Sequence, residues 1–320
     1  MSLLNAGART LAVGAMLLAA VTASGQDYPN KPVRIIVSAP GGGSDFMARQ
    51  ISQGISGPLG QPVIVEYRGS GILSAEFASK APPDGYTLLI SGAIIWIYPL
   101  LRKAPYDVVT DFSPITMIST EPSIFAVHPS VPVKSVKELI ALAKSRPGDF
   151  NYGSGSGFGS TSHLATELFR HLSGINIIHV PYKGNSLAVT ALLSGELQML
   201  ILDTGLLLPH AKSGRLKALA VTSATTSPLA AGLPTIASTV PGYESVGRTG
   251  IWAPAKTPAA IINRLNLEMV RVLNSAESKE RFFNAGMDVV SSSPDQFAAK
   301  IKSEIAILGK LIKDANIKVE

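Results

Sequence analysis

The segment Val33 to Asp45, VRIIVSAPGGGSD, constrains the fold of this chain more than any other. Val33 to Val37 is an apolar run of the length of a buried β-strand. Pro40 and three glycines, Gly41, Gly42 and Gly43, end it. Ser44 and Asp45 then open a helix whose apolar residues Met47, Ile51 and Ile55 recur every four positions. Strand, glycine turn and helix N-terminus together aim backbone N–H groups at one point, the geometry that holds a small carboxylate or phosphate. Glycine permits φ > 0 and has no Cβ to obstruct a ligand. A tight βα turn with no ligand satisfies the same residues, and this segment alone does not separate the two readings.

Short strands alternate with helices along the rest of the chain, which predicts an α/β architecture. The expected strands are Val63 to Tyr67, Tyr86 to Ile90, Ile124 to Val127, Asn151 to Ser154, Ile177 to Val180, Met199 to Leu202 and Lys217 to Val221. Ser74 to Lys80 reads as a short helix, and Ser135 to Lys144 as a helix capped by Ser135 with Glu138 three residues on. Leu164, Leu168 and Leu172 mark the buried stripe of another. Thr257-Pro258 and Ser293-Pro294 start two closing helices, and Gln296 completes a capping box in the second. Phe297, Ile301, Ile305, Leu308 and Ile312 share its inner face. Thr225 to Gly247, rich in Ser, Thr, Pro and Gly, reads as a long connection.

A second Gly/Ser loop, GSGSGFGST from Gly153 to Thr161, repeats the order strand, small-residue loop, helix. Two such units in separate lobes would face each other across a cleft, where open α/β sheets bind ligands. The 320 residues suffice for one large domain or two ordinary ones. At 46% hydrophobic and 16% charged residues, the chain can bury a core and is not a disordered one.

The first 23 residues read as an export signal rather than as part of the fold. Arg9 precedes an apolar stretch, Leu11 to Ala20, and small residues follow at Val21-Thr22-Ala23. The stretch is too short to span a bilayer. Cysteine is absent, so neither a lipoprotein signal nor a disulfide framework is available, as suits an oxidising compartment. These features predict a periplasmic, or otherwise exported, mature protein. Without Arg9, 27 basic residues face 22 acidic ones, a balance of +5. That excess favours anionic ligands, but it is spread out and accompanied by few aromatics, so no nucleic-acid partner is expected.

Enzyme chemistry finds little support. The glycine loops match neither the dinucleotide fingerprint nor the Walker pattern, so no cofactor is expected. No nucleophile elbow surrounds Ser154, Ser156 or Ser160, and there is no thiol. His128, His163, His171, His179 and His210 form no metal-ligand motif, so no metal site is expected. His163 and Glu167, four apart on one helix, read as a surface or loop-anchoring pair.

Several segments together resemble one family, the periplasmic solute-binding proteins of tripartite tricarboxylate transporters, also called the Bug family. They include YPNKPVRIIVSAPGGGSD, ASKAPPDGYTLLISG, PYDVVTDFSPITMIS, NYGSGSGFGSTSHLATELF, HVPYKGNSLAVTALLSGEL and WAPAKTP. The resemblance runs from Tyr28 to about Asn316 and implies a two-lobed Venus flytrap, the type II periplasmic-binding-protein fold, with two chain crossovers. Lobe one would comprise residues 27–123 and 239–320, and lobe two residues 124–238. It further implies a small organic carboxylate held between the loops and delivered by a monomeric receptor to integral membrane permease subunits. The alternatives are a ligand-sensing receptor for a sensor kinase, or an exported enzyme acting on a carboxylate.

The positions carried over are Pro40, Gly41, Gly42, Gly43, Ser44 and Asp45 in lobe one. In lobe two they are Ser154, Gly155, Ser156, Gly157, Ser160, Thr161 and Asp203. Asp45 also reads as a helix cap and Asp203 as a strand-end turn residue. The chain departs from the family at Ser38-Ala39-Pro40, at Gly69 to Leu73 and at Gly247-Arg248-Thr249. Arg248 reads either as a surface residue or as a partner for an additional ligand carboxylate. A Cβ at Gly42 or at Gly155 is expected to abolish binding and leave the fold largely intact, through steric block and a φ > 0 requirement.

Overall fold

The computed structural model describes residues 28–155, 159–315 and 317; the expected export signal, Ser156 and Gly157 lie outside them. The strands are β1 (Val33–Val37), β2 (Val63–Tyr67), β3 (Thr87–Gly92), β4 (Phe112–Val127), β5 (Asn151–Ser154), β6 (Ile178–Pro181), β7 (Met199–Asp203), β8 (Lys217–Val221), β9 (Val246–Pro254) and β10 (Asp288–Val289). The helices are α1 (Gly43–Leu59), α2 (Gly71–Ser79), α3 (Ile94–Leu101), α4 (Val136–Ser145), α5 (Thr161–Ser173), α6 (Asn185–Ser194), α7 (Thr204–Lys212), α8 (Ala259–Leu273), α9 (Ala276–Asn284) and α10 (Pro294–Asp314).

Their order across the mixed sheet is β2-β1-β3-β9-β4-β7-β5-β6, with β8 and β10 also paired to β4. β1 runs parallel to both β2 and β3, and Ile35, Ile36 and Val37 are wholly buried because helices cover both faces. β9 inserts antiparallel between β3 and β4. In the other half, β5 runs parallel to β6 and β7.

β4 belongs to both halves. Residues Phe112 to Pro122 pair with β9, and Ser123 to Val127 pair with β7 and β8. The expected strand at Ile124 to Val127 is therefore only the last quarter of β4. Its first part, FSPITMISTEPS, carries the two prolines and the polar residues that ordinarily mark a loop. The structure accommodates Pro114 at a register shift, and Pro122 at the end of the β9 ladder, where no ladder donor is required. β9, α3 and α9 had no counterpart in the expected elements.

The chain returns beside this strand. Thr222 donates its N–H to Ser123 O (3.0 Å), Ser123 donates to Thr222 Oγ1 (2.9 Å), and Ser245 donates to Thr222 O (3.0 Å). The two connections between the halves thus lie side by side. Residues just before the return, including Val240 and Tyr243, pack in the core of the β5–β8 half, and Tyr243 Oη donates to Ala165 O (3.1 Å).

α10 spans the junction. Ser293 and Gln296 form the expected capping box. Near the start of α10, Phe297 and Ile301 pack with Trp96 and Trp252, with the Trp252 and Phe297 rings 4.4 Å apart. Near its end, Leu311 joins Phe125, Phe169 and Tyr243. On α5, Leu164 and Leu168 are buried as expected, but Leu172 is 41% exposed. Each four-residue step overshoots a helical turn by about 40°, so Leu172 has rotated about 80° from Leu164 and out of the core.

β9 approaches α10 closely at Gly250, where a Cβ would fall inside the van der Waals envelope of the fully buried Phe297 ring. We expect Gly250→Ala to lower stability by about 1–3 kcal/mol through overpacking. Urea unfolding followed by circular dichroism measures this, and an unchanged midpoint would refute it.

Candidate functional site

The first glycine turn leaves β1 and enters α1 as its pattern implies, and Asp45 organises it. Gly42 is the N-cap residue, so Asp45 lies within the first helical turn and is not the cap. Gly41 adopts φ +81° and donates its N–H to Asp45 Oδ2 (2.8 Å). Asp45 Oδ1 accepts from Arg49 Nε (2.9 Å) and Tyr67 Oη (2.8 Å). Desolvation works to raise this carboxyl, but the bonds from Gly41, Tyr67 and Arg49 outweigh it and hold it below the usual range. The Asp45 carboxylate is thus engaged within the turn, while Pro40, Gly41, Gly42 and Gly43 stay exposed and Ser44 half-buried.

The second loop is built differently. Ser154, the last residue of β5, is wholly buried, with its Oγ 2.7 Å from His179 Nε2. Gly155 donates its N–H to Ser162 Oγ (3.4 Å). Ser160 caps α5 by accepting from His163 N (3.3 Å), which leaves Thr161 exposed as the first helical residue. A Cβ on Gly155 would come within 2.6 Å of Asn185 Cα, so this glycine is required for packing against α6. Substitution there disturbs the fold, against expectation. Gly42 has φ −94° and open space where a Cβ would stand, so the φ > 0 argument belongs to Gly41 instead.

His163 and Glu167 are not a surface pair; both are buried. Glu167 accepts two bonds from Arg170 Nε (3.0 Å each), one from Arg170 Nη2 (2.7 Å) and one from Tyr152 Oη. His163 anchors the loop through its ring, accepting the Gly159 N–H at Nδ1 (3.0 Å).

A cavity of about 330 Å³ opens between the halves. Gly92 and Ala93 at the carboxyl end of β3 line it on one side, and Thr161 and Asp203 on the other. Thr161 and Asp203 are thus brought together across from β3. Residues Pro40 to Asp45, Ser154, Gly155 and Ser160 are not in its wall. β1 and β3 are parallel neighbours, however, so the Pro40–Gly43 turn leaves the sheet on the same side as Gly92.

The charged residues of the wall come from distant segments: Glu121, Asp203, Glu244, Arg248, Lys300 and Glu304. Arg248 is 5% exposed, which corrects the surface reading. Its guanidinium donates from one terminal nitrogen to Glu304 and from the other to Glu244. Lys300 Nζ donates to Glu244 Oε2 (2.7 Å), and Trp96 Nε1 donates to Glu304 Oε2 (3.1 Å). Breaking one member of such a buried network costs about 3–5 kcal/mol, because a charge is left uncompensated.

Glu121 and Asp203 differ: among the described residues neither makes an ion pair. Burial pushes Glu121 above the usual carboxylate range, opposed by a bond from Ser119 Oγ (2.7 Å) and reinforced by the charge of Asp203. Asp203 is exposed, yet partial desolvation raises its carboxyl as well, and Asn185 Nδ2 donates to its Oδ2 (3.3 Å). No local motif announced Glu121, Lys300 or Glu304. Each is an ordinary charged residue until the fold places it in the wall.

The architecture is that of a solute-binding protein. A family profile described as "Tripartite tricarboxylate transporter family receptor" matches residues 47–317, and the chain belongs to this family of periplasmic solute-binding receptors. It is 33% identical to Protein BugT of Bordetella pertussis over 98% of this chain and 99% of that one. Among solved structures it is similar to an R. palustris protein determined with adipate (34% identity, TM-score 0.71, covering 91% of this chain and 99% of that one). MatC of Rhodopseudomonas palustris with bound malate matches at 26% identity and TM-score 0.65, covering 89% and 100%. A TctC solute binding protein from Polaromonas without ligand matches at 25% identity and TM-score 0.82, covering 90% and 99%.

The environment of Glu121 generates a pH-dependent expectation. Its folded-state pKa is raised, so the ionised form is penalised and stability is withdrawn as pH rises through that pKa. Glu121→Gln should therefore raise the thermal midpoint by roughly 2–4 °C per kcal/mol recovered at about pH 7.5, and leave it nearly unchanged at about pH 4. Equal shifts at both pH values, followed by calorimetry, would contradict the assignment.

Proposed function

We propose that this receptor is exported, captures a small organic carboxylate between its two halves and delivers it to integral membrane permease subunits. The observation that carries the reading is the cavity itself. It lies between two βα units at the carboxyl ends of β3 and β7 and at the first residue of α5, where backbone N–H groups and helix dipoles favour an anion. Relatives of the same fold solved with adipate and with malate support the ligand class. Lobe one would comprise the β1–β3 and β9 half, and lobe two the β5–β8 half. Gly42, Gly43 and Ser44 are the contacts we assign on lobe one, and Ser160, Thr161 and Asp203 those on lobe two. Asp45, Ser154 and Gly155 shape the loops behind them. Glu121 and Asp203, whose carboxyls desolvation raises, face the same space.

The ligand-free Polaromonas structure superposes better than the adipate-bound one despite its lower identity. This supports an open arrangement here, with closure on binding about the paired connections at Ser123, Thr222 and Ser245. No helix among the described residues is long and apolar enough to cross a membrane.

A thermal-shift panel of carboxylates, including adipate and malate, tests the ligand class. A ligand at ~100 times its dissociation constant adds ~2.7 kcal/mol of stability. Stabilisation by neutral sugars or cations alone would sink the proposal. Gly42→Val should keep the wild-type melting temperature and lose binding, because its Cβ meets only open space in the fold; near-normal affinity would remove this turn from the site. Small-angle scattering with a saturating ligand should give a smaller radius of gyration, and an identical profile would argue against closure.

A further inference from the structure

We propose that His163 and His179 are positioning residues that fix Ser154 at the end of β5 and Gly159 just before α5. They thereby hold Ser160 and Thr161 in place on the lobe-two side of the ligand site. The inference rests on the reading that Ser160 and Thr161 border the ligand.

His179, on β6, has its Nε2 2.7 Å from the Oγ of Ser154, at the end of β5. His163, on α5, accepts at Nδ1 the N–H of Gly159, just before the helix (3.0 Å). The two rings stack on each other with centroids 4.2 Å apart and planes at 29°. Tyr152 of β5 lies against both rings, its centroid 4.9 Å from that of His179 (23°) and 6.3 Å from that of His163 (12°). One imidazole pair therefore couples the strand end to the helix start, and neither end can shift without disturbing the other ring.

This arrangement needs neutral rings. A backbone N–H can donate to His163 Nδ1 only while that nitrogen keeps its lone pair, which fixes the tautomer with hydrogen on Nε2. The surroundings favour neutrality. Burial is the first cause lowering His163, with Arg170 acting the same way and Glu167 opposing. Burial and then the neighbouring His163 push His179 down to about 4, again with Glu167 opposing. Glu167, whose charge acts on both rings, is already engaged by Arg170 and Tyr152. For a histidine with a depressed folded pKa, the neutral arrangement persists above that pKa and is lost as pH falls through it. Proton uptake removes the acceptor that holds Gly159 and places a charge against the second ring.

Amide hydrogen exchange of the ligand-free protein provides the test, corrected for the intrinsic pH dependence of exchange. In the wild type, the Gly159 amide should be protected at about pH 7.5 and lose about tenfold or more of that protection at about pH 4. His163→Asn places an amide oxygen near the Nδ1 position and cannot titrate there, so protection should survive at both pH values. His163→Leu removes the acceptor, so protection should be lost at both. β1 and α10 exchange serve as controls for folding. If the leucine variant does not fold, His163→Asn and two-bond proton–nitrogen spectra of the wild-type imidazoles decide the matter. A hydrogen on His163 Nδ1 at neutral pH, pH-independent protection of Gly159, or wild-type protection in the leucine variant would each overturn the proposal. In parallel, adipate and malate affinities should weaken with acid in the wild type more than in His163→Asn. If no carboxylate binds any variant while the exchange pattern holds, the ligand reading fails and the positioning role stands.

Discussion

One continuous strand, β4, is hydrogen-bonded into both halves of the molecule. Over sixteen residues it supplies the partner of β9 and β10 in one half and of β7 and β8 in the other. A backbone shared in this way cannot be separated into two independent bodies, and its ladder changes partners between Pro122 and Ser123. The return connection is hydrogen-bonded to the same point through Thr222 and Ser245. α10 then lies across both cores, from Phe297 to Leu311. The cavity lies where these three elements hold the two halves side by side, between the carboxyl end of β3 and Thr161 and Asp203.

Electrostatics divides the cavity wall into two parts. Arg248, Lys300, Glu244 and Glu304 neutralise one another, and their network ties β9 to α10 beside the junction. Buried ion pairs of this kind add little net stability compared with apolar packing, but they are costly to break, which favours a single arrangement of the groups. Glu121 and Asp203 carry no such compensation and face the space a ligand would occupy. Desolvation raises both carboxyls, and the charge of Asp203 adds to the rise at Glu121.

Local signals were readable where local physics decides. The VRIIV strand, the apolar spacing of α1, the Ser135 cap and the Ser293–Gln296 capping box all appear as their residues imply. Both small-residue loops form strand-to-helix turns. The failures share a cause. The first part of β4 and all of β9 contain proline, glycine and charged residues that weaken a strand on local grounds. They become strands because neighbours on both sides supply ladders, and because Gly250 lets Phe297 pack against the backbone. Gly155 looked like a ligand-facing glycine, but its missing Cβ makes room for Asn185.

By itself, the sequence determined the α/β alternation, the helix starts and the small-residue loops that precede α1 and α5, because capping, periodicity and glycine conformation act within a few residues. Tertiary structure alone decided which charges meet. Glu121, Asp203, Arg248 and Glu304 are separated by 45 to 183 residues along the chain, and no local pattern relates them. Burial then determined their roles: the same arginine that would be a solvated cation on a surface becomes the centre of an ion-pair network at 5% exposure. The desolvation that raises a carboxyl pKa likewise exists only once the two halves enclose the space between them.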